Sequence, residues 1–453
     1  LSKILNILET TAMATPNNIL QNVALFVKGE LAWLQNSYFG ISESNKRFNK
    51  FNEQYGANLG DNITFDLTPR YVTYDGLIIT QQPSVQRVQT LTCSQAANSS
   101  AGYTDQQFIF NVEDYMREFG MSSVKEIGSK VEKDILKNFI SGVTVNNPQA
   151  SNFGEVQYQS GPFRFYGNGV TPITSYQQLA QAVANFEDFG FSGADMKAVL
   201  PVTAIPSIVG SGLNQFAQNR NNEIANSWEL GGFAGCKWFT SNYLPEHISG
   251  TVGDATSPNN IITLVSTNDP TGANVTQITV TEPTGSTDAN AFKAGDLVQV
   301  NDGVPGFRNY RFLTFIGHQT SAQPVQFRVI ADAATVSGTA TLSVQTINGV
   351  GLVWQQNANQ NLNQALQAGM KATVAPSHRA GCLMSGNSLY TAMPTLPNES
   401  PFDTVSIKDE DSGASLRHYW GSQFGLNNRA YVRDCIWAST LIPENSMRLL
   451  FPL

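Results

Sequence analysis

The chain has 453 residues, of which 41% are hydrophobic and only 14% charged, with a net charge of −8. That length supports roughly two to four compact units, and a charged fraction well below the ~25% of an average soluble domain suits an exterior packed largely against neighbours, because rim charges must be desolvated on burial. The acidic balance argues against tight general nucleic-acid binding, though not against a wall enclosing nucleic acid; no apolar run approaches the ~20 residues of a membrane span, and the first residues lack the basic, apolar and small-residue order of a secretory leader.

Residues 1–60 read as a loosely organised, partly helical arm. It carries an apolar cluster (Leu20, Val23, Phe26) and a small basic group, Lys46, Arg47 and Lys50, beside Phe48 and Phe51. From Asn62 to Leu67 polar and apolar residues alternate, as on a half-buried strand. Val85 to Cys93 is rich in β-formers, Gln95 to Asp105 is a polar loop, and Gln107 to Val112 reads as a returning strand. The region 61–113 is therefore expected to be a long hairpin that needs a partner surface.

Ser123 and Glu126 have the spacing of a capping box. Val124, Ile127, Val131, Ile135 and Phe139 then recur at helical spacing, predicting a helix on the order of five turns. Glu132 falls among the polar positions, and Gly142 is the expected stop. A second helix is expected from Thr174 or Ser175, with Leu179, Val183 and Phe186 on one face and Gly190 at its end. Lys197 to Pro201 reads as a short buried strand, and Ala204 to Asn219 as a third helix.

At about residue 250 the pattern changes. From Thr251 to Val350 there is no convincing helix. Strand-like runs at Ile261–Ser266, Gln277–Thr281, Leu297–Val300, Val325–Ile330 and Thr339–Val344 are separated by turn residues such as Asp269-Pro270, Gly295 and Gly338. Short strands between regular turn signals predict a barrel or sandwich inserted in a mixed chain. Beyond it, Leu362 to Met370 reads as helix, and Leu416–Trp420 and Tyr431–Ala438 as strands.

No catalytic constellation emerges. His247, His318, His378 and His418 are scattered and read as surface or satisfied core residues. Ser122-Ser123-Val124-Lys125 matches an S-x-x-K pattern but lacks the companion motifs that chemistry requires. Cys93, Cys236, Cys382 and Cys435 form no C-x-x-C pair and read as unpaired thiols. No enzyme activity, cofactor or metal is expected.

Several colinear stretches carry a resemblance. They are Asn58–Ile63 with Thr68-Pro69-Arg70-Tyr71, then Gly232–Phe239, Phe292–Asp296, Ser337–Leu342, and Leu441-Ile442-Pro443-Glu444 with Arg448. Over roughly residues 40–450 the chain resembles the major capsid proteins of tailed phages with the Hong Kong 97-type fold. It is most similar to the coat proteins of short-tailed Salmonella-type phages, which carry an inserted β-barrel.

The resemblance implies an α+β fold divided into an N-terminal arm (1–60), an extended loop (61–113), a peripheral domain with the spine helix Val124–Ile140 (114–190), an axial domain (191–250), an inserted all-β domain (251–350), and a return through the axial domain to the peripheral strands (351–453). It implies self-assembly through hexamers and pentamers into a virion shell built in a bacterial cytoplasm. Its other partners would be a portal protein, scaffolding and decoration proteins, and packaged double-stranded DNA bound without sequence specificity. Arg70, Tyr71, Tyr74, Arg87 and Tyr103 become candidates for the subunit interface, and Lys46, Arg47 and Lys50 for facing DNA.

Some relatives crosslink their subunits through a loop lysine. Here no lysine lies between Lys50 and Lys125, so a shell without covalent links is expected. The alternatives are an encapsulin-like compartment and a secreted β-rich adhesin or carbohydrate-binding protein.

Overall fold

The computed structural model of the protein describes residues 31–32, 34, 38–45, 62–67, 69–73, 77, 87–93, 95–104, 121–140, 161–190, 195–212, 232–301, 309–347, 350–397, 403–408, 413–422 and 428–453. Two compact units divide it. The smaller comprises Leu1–Ser37, Ala96–Gly128 and Met393–Ile436; the larger comprises Tyr38–Gln95, Ser129–Ala392 and Trp437–Leu453.

The larger unit opens with a short helix, α1 (Phe39–Ser42), and a hairpin. Strand β1 (Asn62–Leu67) runs antiparallel to β2 (Arg87–Thr92), in register from Asn62↔Thr92 to Leu67↔Arg87. A lone two-stranded ribbon is marginal in water. Here its strands are held by Leu67 against Ile442 and Tyr390, by Leu91 against Ala392 and Ala438, and by a 3.0 Å hydrogen bond from Gln89 Nε2 to Thr440 Oγ1. The segment expected as a polar loop is instead a ten-residue strand, β3 (Gln95–Thr104), paired with the long strand Asn428–Leu441. Its polar side chains do not oppose pairing, because a ladder joins backbone groups and tertiary context overrides weak β-propensity.

Helix α2 (Met121–Leu136) continues as a 3-10 turn over Lys137–Phe139, and the five apolar positions named from its periodicity are all buried. The capping-box expectation fails. The helix starts two residues earlier than Ser123, whose hydroxyl sits inside the first turn without a partner among the described residues. Glu132, which falls among the polar positions of that pattern, is buried and accepts the Gly40 N–H at 2.7 Å. Burial raises its carboxyl to about 7, against hydrogen bonds from Gly40 and Phe39 that lower it.

After β4 (Phe165–Tyr166) comes α3 (Tyr176–Asp188). Ser175 caps it: its Oγ accepts from the Gln178 N–H, and Gln178 Oε1 accepts from the Ser175 N–H, both at 3.3 Å. The helix buries Tyr176, Leu179, Ala182, Val183 and Phe186. Strand β5 (Met196–Pro201) is buried throughout, as a strand covered on both faces must be. Helix α4 (Ile205–Gly212), β6 (Gly232–Phe233), β7 (Cys236–Ser241) and β8 (Glu246–His247) follow.

The next segment opens with a single helical turn, α5 (Thr251–Asp254), and is otherwise β structure. Its strands are β9 (Ile261–Thr267), β10 (Gln277–Thr281), β11 (Asp288–Phe292), β12 (Leu297–Val300), β13 (Arg311–Leu313), β14 (Thr320–Pro324), β15 (Gln326–Val329), β16 (Ala333–Thr335), β17 (Thr339–Gln345) and β18 (Lys371–Val374). Six of them close into a barrel in the order β10-β17-β15-β12-β18-β9, while β11–β16 and β13–β14 form side ribbons. Inward residues such as Ile262, Ile278, Val280, Val298, Phe327, Leu342 and Val374 fill it, and closure leaves no edge strand to aggregate.

The sixth strand lies beyond residue 350, where the inserted block was expected to end. The helix expected over Leu362–Met370 does not form. Leu362 bridges to Phe312 and, like Met370, enters the barrel core. Buried Asn361 holds this stretch irregular, its Oδ1 accepting the Val353 N–H at 2.8 Å and its Nδ2 donating to Gly351 O at 2.8 Å.

The chain closes with β19 (His378–Met384), β20 (Leu389–Ala392), β21 (Asp403–Lys408), β22 (Ser415–Ser422), β23 (Asn428–Leu441) and β24 (Ser446–Phe451). In the larger unit a mixed sheet runs β4-β24-β19-β5-β7-β6, with β8 on β19, and β20 pairs the end of β23. In the smaller unit β21, β22 and the first part of β23 form an antiparallel sheet, to which β3 is joined by its pairing with β23, and Arg417 Nε meets Asp434 Oδ1 at 2.9 Å across the β22–β23 rung. The fold is α+β with a distinct closed β-barrel let into it.

Candidate functional site

Two places concentrate polar side chains where the fold could do work: the stretch after the hairpin strand β1, and the joint where the barrel leaves the mixed sheet.

Arg70 lies three residues beyond β1. Its guanidinium stacks 4.7 Å from the Phe315 ring centroid, donates to Gln360 O at 3.1 Å and approaches His318 Nε2 at 3.5 Å. All three partners belong to the barrel side of the same chain. Tyr71 beside it is half exposed, Leu77 is fully exposed, and Ile316 of the receiving turn is also exposed. Desolvation and the Arg70 charge push His318 below its ordinary value, so its Nε2 is an acceptor for Arg70 at neutral pH. Among the other interface candidates, Arg87 opposes Leu67 at the end of the β1–β2 ladder and Tyr103 lies on β3. Tyr74, Lys46, Arg47 and Lys50 lie outside the described residues.

The barrel joins the sheet at one rung. His247 on β8 pairs with His378 on β19, so residues 248–377 leave and return at adjacent backbone positions. Polar groups with little or no solvent access lock that rung. Asp296 accepts from His247 Nε2 at 2.8 Å, from the Lys293 N–H at 2.8 Å and from the Gly250 N–H at 3.3 Å. Arg448 on β24 donates to Gly295 O at 3.1 Å and to Ile140 O, and faces His378 Nε2 at 3.4 Å. His378 Nδ1–H donates to Pro376 O at 2.7 Å. Burial and the Arg448 charge hold His378 down to about 3, so it is neutral and turns its lone pair toward Arg448.

Two more buried arginines flank the joint. Arg164 donates to Glu444 O at 3.0 Å and lies 4.2 Å from the Phe189 centroid, and Arg328 donates to Gln345 Oε1 at 3.0 Å. Burial lowers Arg164 and Arg448 to about 9 and Arg328 to about 10, which leaves all three cationic at neutral pH. Such a seam resists rearrangement, because removing one partner strands the others without water.

The described residues contain no group of three or more His, Cys, Asp or Glu placed to hold a metal ion. Burial raises the Cys236 thiol to about 12 and the Cys382 thiol further, away from nucleophilic range.

The three seam arginines and Asp296 were not picked out as functional from the sequence, although a signal was there. Each arginine sits between strand-forming apolar residues: Phe163 and Phe165, Phe327 and Val329, Met447 and Leu449. Alternation of this kind by itself reads as a half-buried strand with its polar residue in solvent, so only Met447-Arg448-Leu449-Leu450-Phe451, apolar on both faces, marks its arginine for burial.

No family model and no curated relative matches the chain. Solved structures of phage capsids are similar to it at low identity. The capsid of Ralstonia phage GP4 is 7% identical over 92% of this chain and 91% of that one, with a TM-score of 0.41. The capsid structure of the cyanophage P-SCSP1u is 9% identical over 86% and 84%, with a TM-score of 0.38. A structure from Mycobacterium phage Che8 is 8% identical over 90% and 91%, also with a TM-score of 0.38.

Proposed function

We propose that this chain is the major capsid protein of a tailed double-stranded DNA phage. The observation that carries the reading is the order of parts: a hairpin, then a long amphipathic helix, then a mixed sheet interrupted at one rung by a closed barrel. That is the order the resemblance in the sequence implies. A subunit of this kind acts through interface geometry, not bond chemistry. One chain occupies hexameric and pentameric positions, and head-to-tail contacts close into rings that tile a shell. Individually weak contacts suffice when many act together. The hairpin region would lie over a neighbouring copy, while the barrel, fixed at its joint, would move with the subunit as a rigid body. A portal protein, packaged DNA, and scaffolding and decoration proteins would be the other partners, and no catalytic activity is assigned.

Negative-stain microscopy of protein purified from expressing bacteria tests the reading. Closed shells of uniform size are expected. A compact monomer that persists at high concentration would refute it.

A further inference from the structure

The chain's own barrel occupies Arg70, a residue in the region that would have to engage a neighbour. We propose that Arg70 is an intramolecular latch, holding the segment after β1 on the barrel of the same chain and so restraining self-association until it is released. The inference rests on the capsid reading and deepens it.

Three contacts of different kinds converge on one guanidinium: the Phe315 face, the Gln360 carbonyl and the His318 ring nitrogen. Planar stacking combined with hydrogen bonding at the rim is a geometry that arginine meets and lysine does not. The receiving side is prepared for it. Phe315 is buried in the barrel core, its N–H bonded to Phe189 O at 2.7 Å, so the platform is fixed. His318 holds a positive φ of 50° at the end of the same turn, a conformation that costs a non-glycine residue energy, and its ring is engaged by Ala358 as well as Arg70. The described residues 69–73 form no helix or strand, and Pro69, Tyr71 and Thr73 are exposed. Arg70 thus anchors to the barrel a segment that carries exposed Tyr71. Releasing Arg70 would let this segment leave its own barrel and reach another copy.

The test uses the full-length chain, wild type against Arg70→Ala and Arg70→Lys. Circular dichroism would establish that each variant folds. Hydrogen exchange of peptides covering residues 69–73 is read in the unassembled subunit, and light scattering reads the threshold concentration for particle formation. Loss of the stack and the hydrogen bonds should raise exchange roughly tenfold in Arg70→Ala and lower the assembly threshold, with Arg70→Lys following Ala more closely than wild type. Unchanged exchange would overturn the latch. Raised exchange with an unchanged or higher threshold would overturn the restraint on assembly. If neither wild type nor variant forms particles, the capsid reading fails and the restraint falls with it, a result distinct from particles whose threshold ignores residue 70.

Discussion

Replacing Asp296 by alanine tests the barrel joint most directly. The carboxylate is wholly buried and gathers three donors: the His247 ring and the Lys293 and Gly250 N–H groups. Each hydrogen bond to a charged acceptor contributes about 1.5–3 kcal/mol. They are not additive, and breaking a buried charged contact of this sort typically costs about 3–5 kcal/mol. With a urea dependence of about 2 kcal/mol per molar, the unfolding midpoint should fall by roughly 2 M. Peptides from 248–377 should lose exchange protection first, because the contacts sit where that segment leaves the sheet. Asp296→Asn, which keeps the shape and one acceptor, should cost less than half as much. A shift below about 0.5 kcal/mol for Asp296→Ala would refute the claim that these contacts hold the joint.

Glu132 gives a pH test. Its carboxyl titrates near 7 in the folded chain against an ordinary 4.5, so folding takes up a proton between these values. The contribution is whole below about 4.5 and is lost as pH rises through 7, on the order of 3 kcal/mol in all. Glu132→Gln should remove this slope in urea titrations between about pH 5 and pH 8, and should be the more stable form at the upper end. Parallel slopes would contradict the assignment. Gly351→Ala should melt the barrel early, by about 1–3 kcal/mol or more, since a Cβ there would lie 1.8 Å from Val275 O at the Val275↔Leu352 bridge. By contrast Gly210→Ala in α4, with nothing within 4 Å of the new methyl, should stabilise by up to ~1 kcal/mol in the same melts. Assembled particles should run as monomers on a denaturing gel, because no lysine lies between Lys50 and Lys125; covalent ladders would contradict that.

Periodicity alone determined much of this protein. The apolar faces of α2 and α3, the alternation of β1, β10 and β17, and the buried run of β5 are each written in a few consecutive residues, where side-chain spacing and backbone geometry are the same fact. The turn residues between them announced a barrel or sandwich, and tertiary pairing decided for the barrel. What the tertiary structure decided was everything that depends on distant partners. Strand β18 closes the barrel from beyond its expected end, and β3 pairs in spite of its polar composition. Leu362 leaves a helical pattern to fill a core, and Glu132 is buried although it lies off the apolar face of its helix. Arg70, chosen from the sequence as a residue for meeting other copies, finds partners within its own chain. Local pattern encodes which face of an element is apolar, but not which other element will cover it. Covering surfaces come from parts of the chain distant in sequence, and only their joint packing fixes register, closure and the fate of a buried charge.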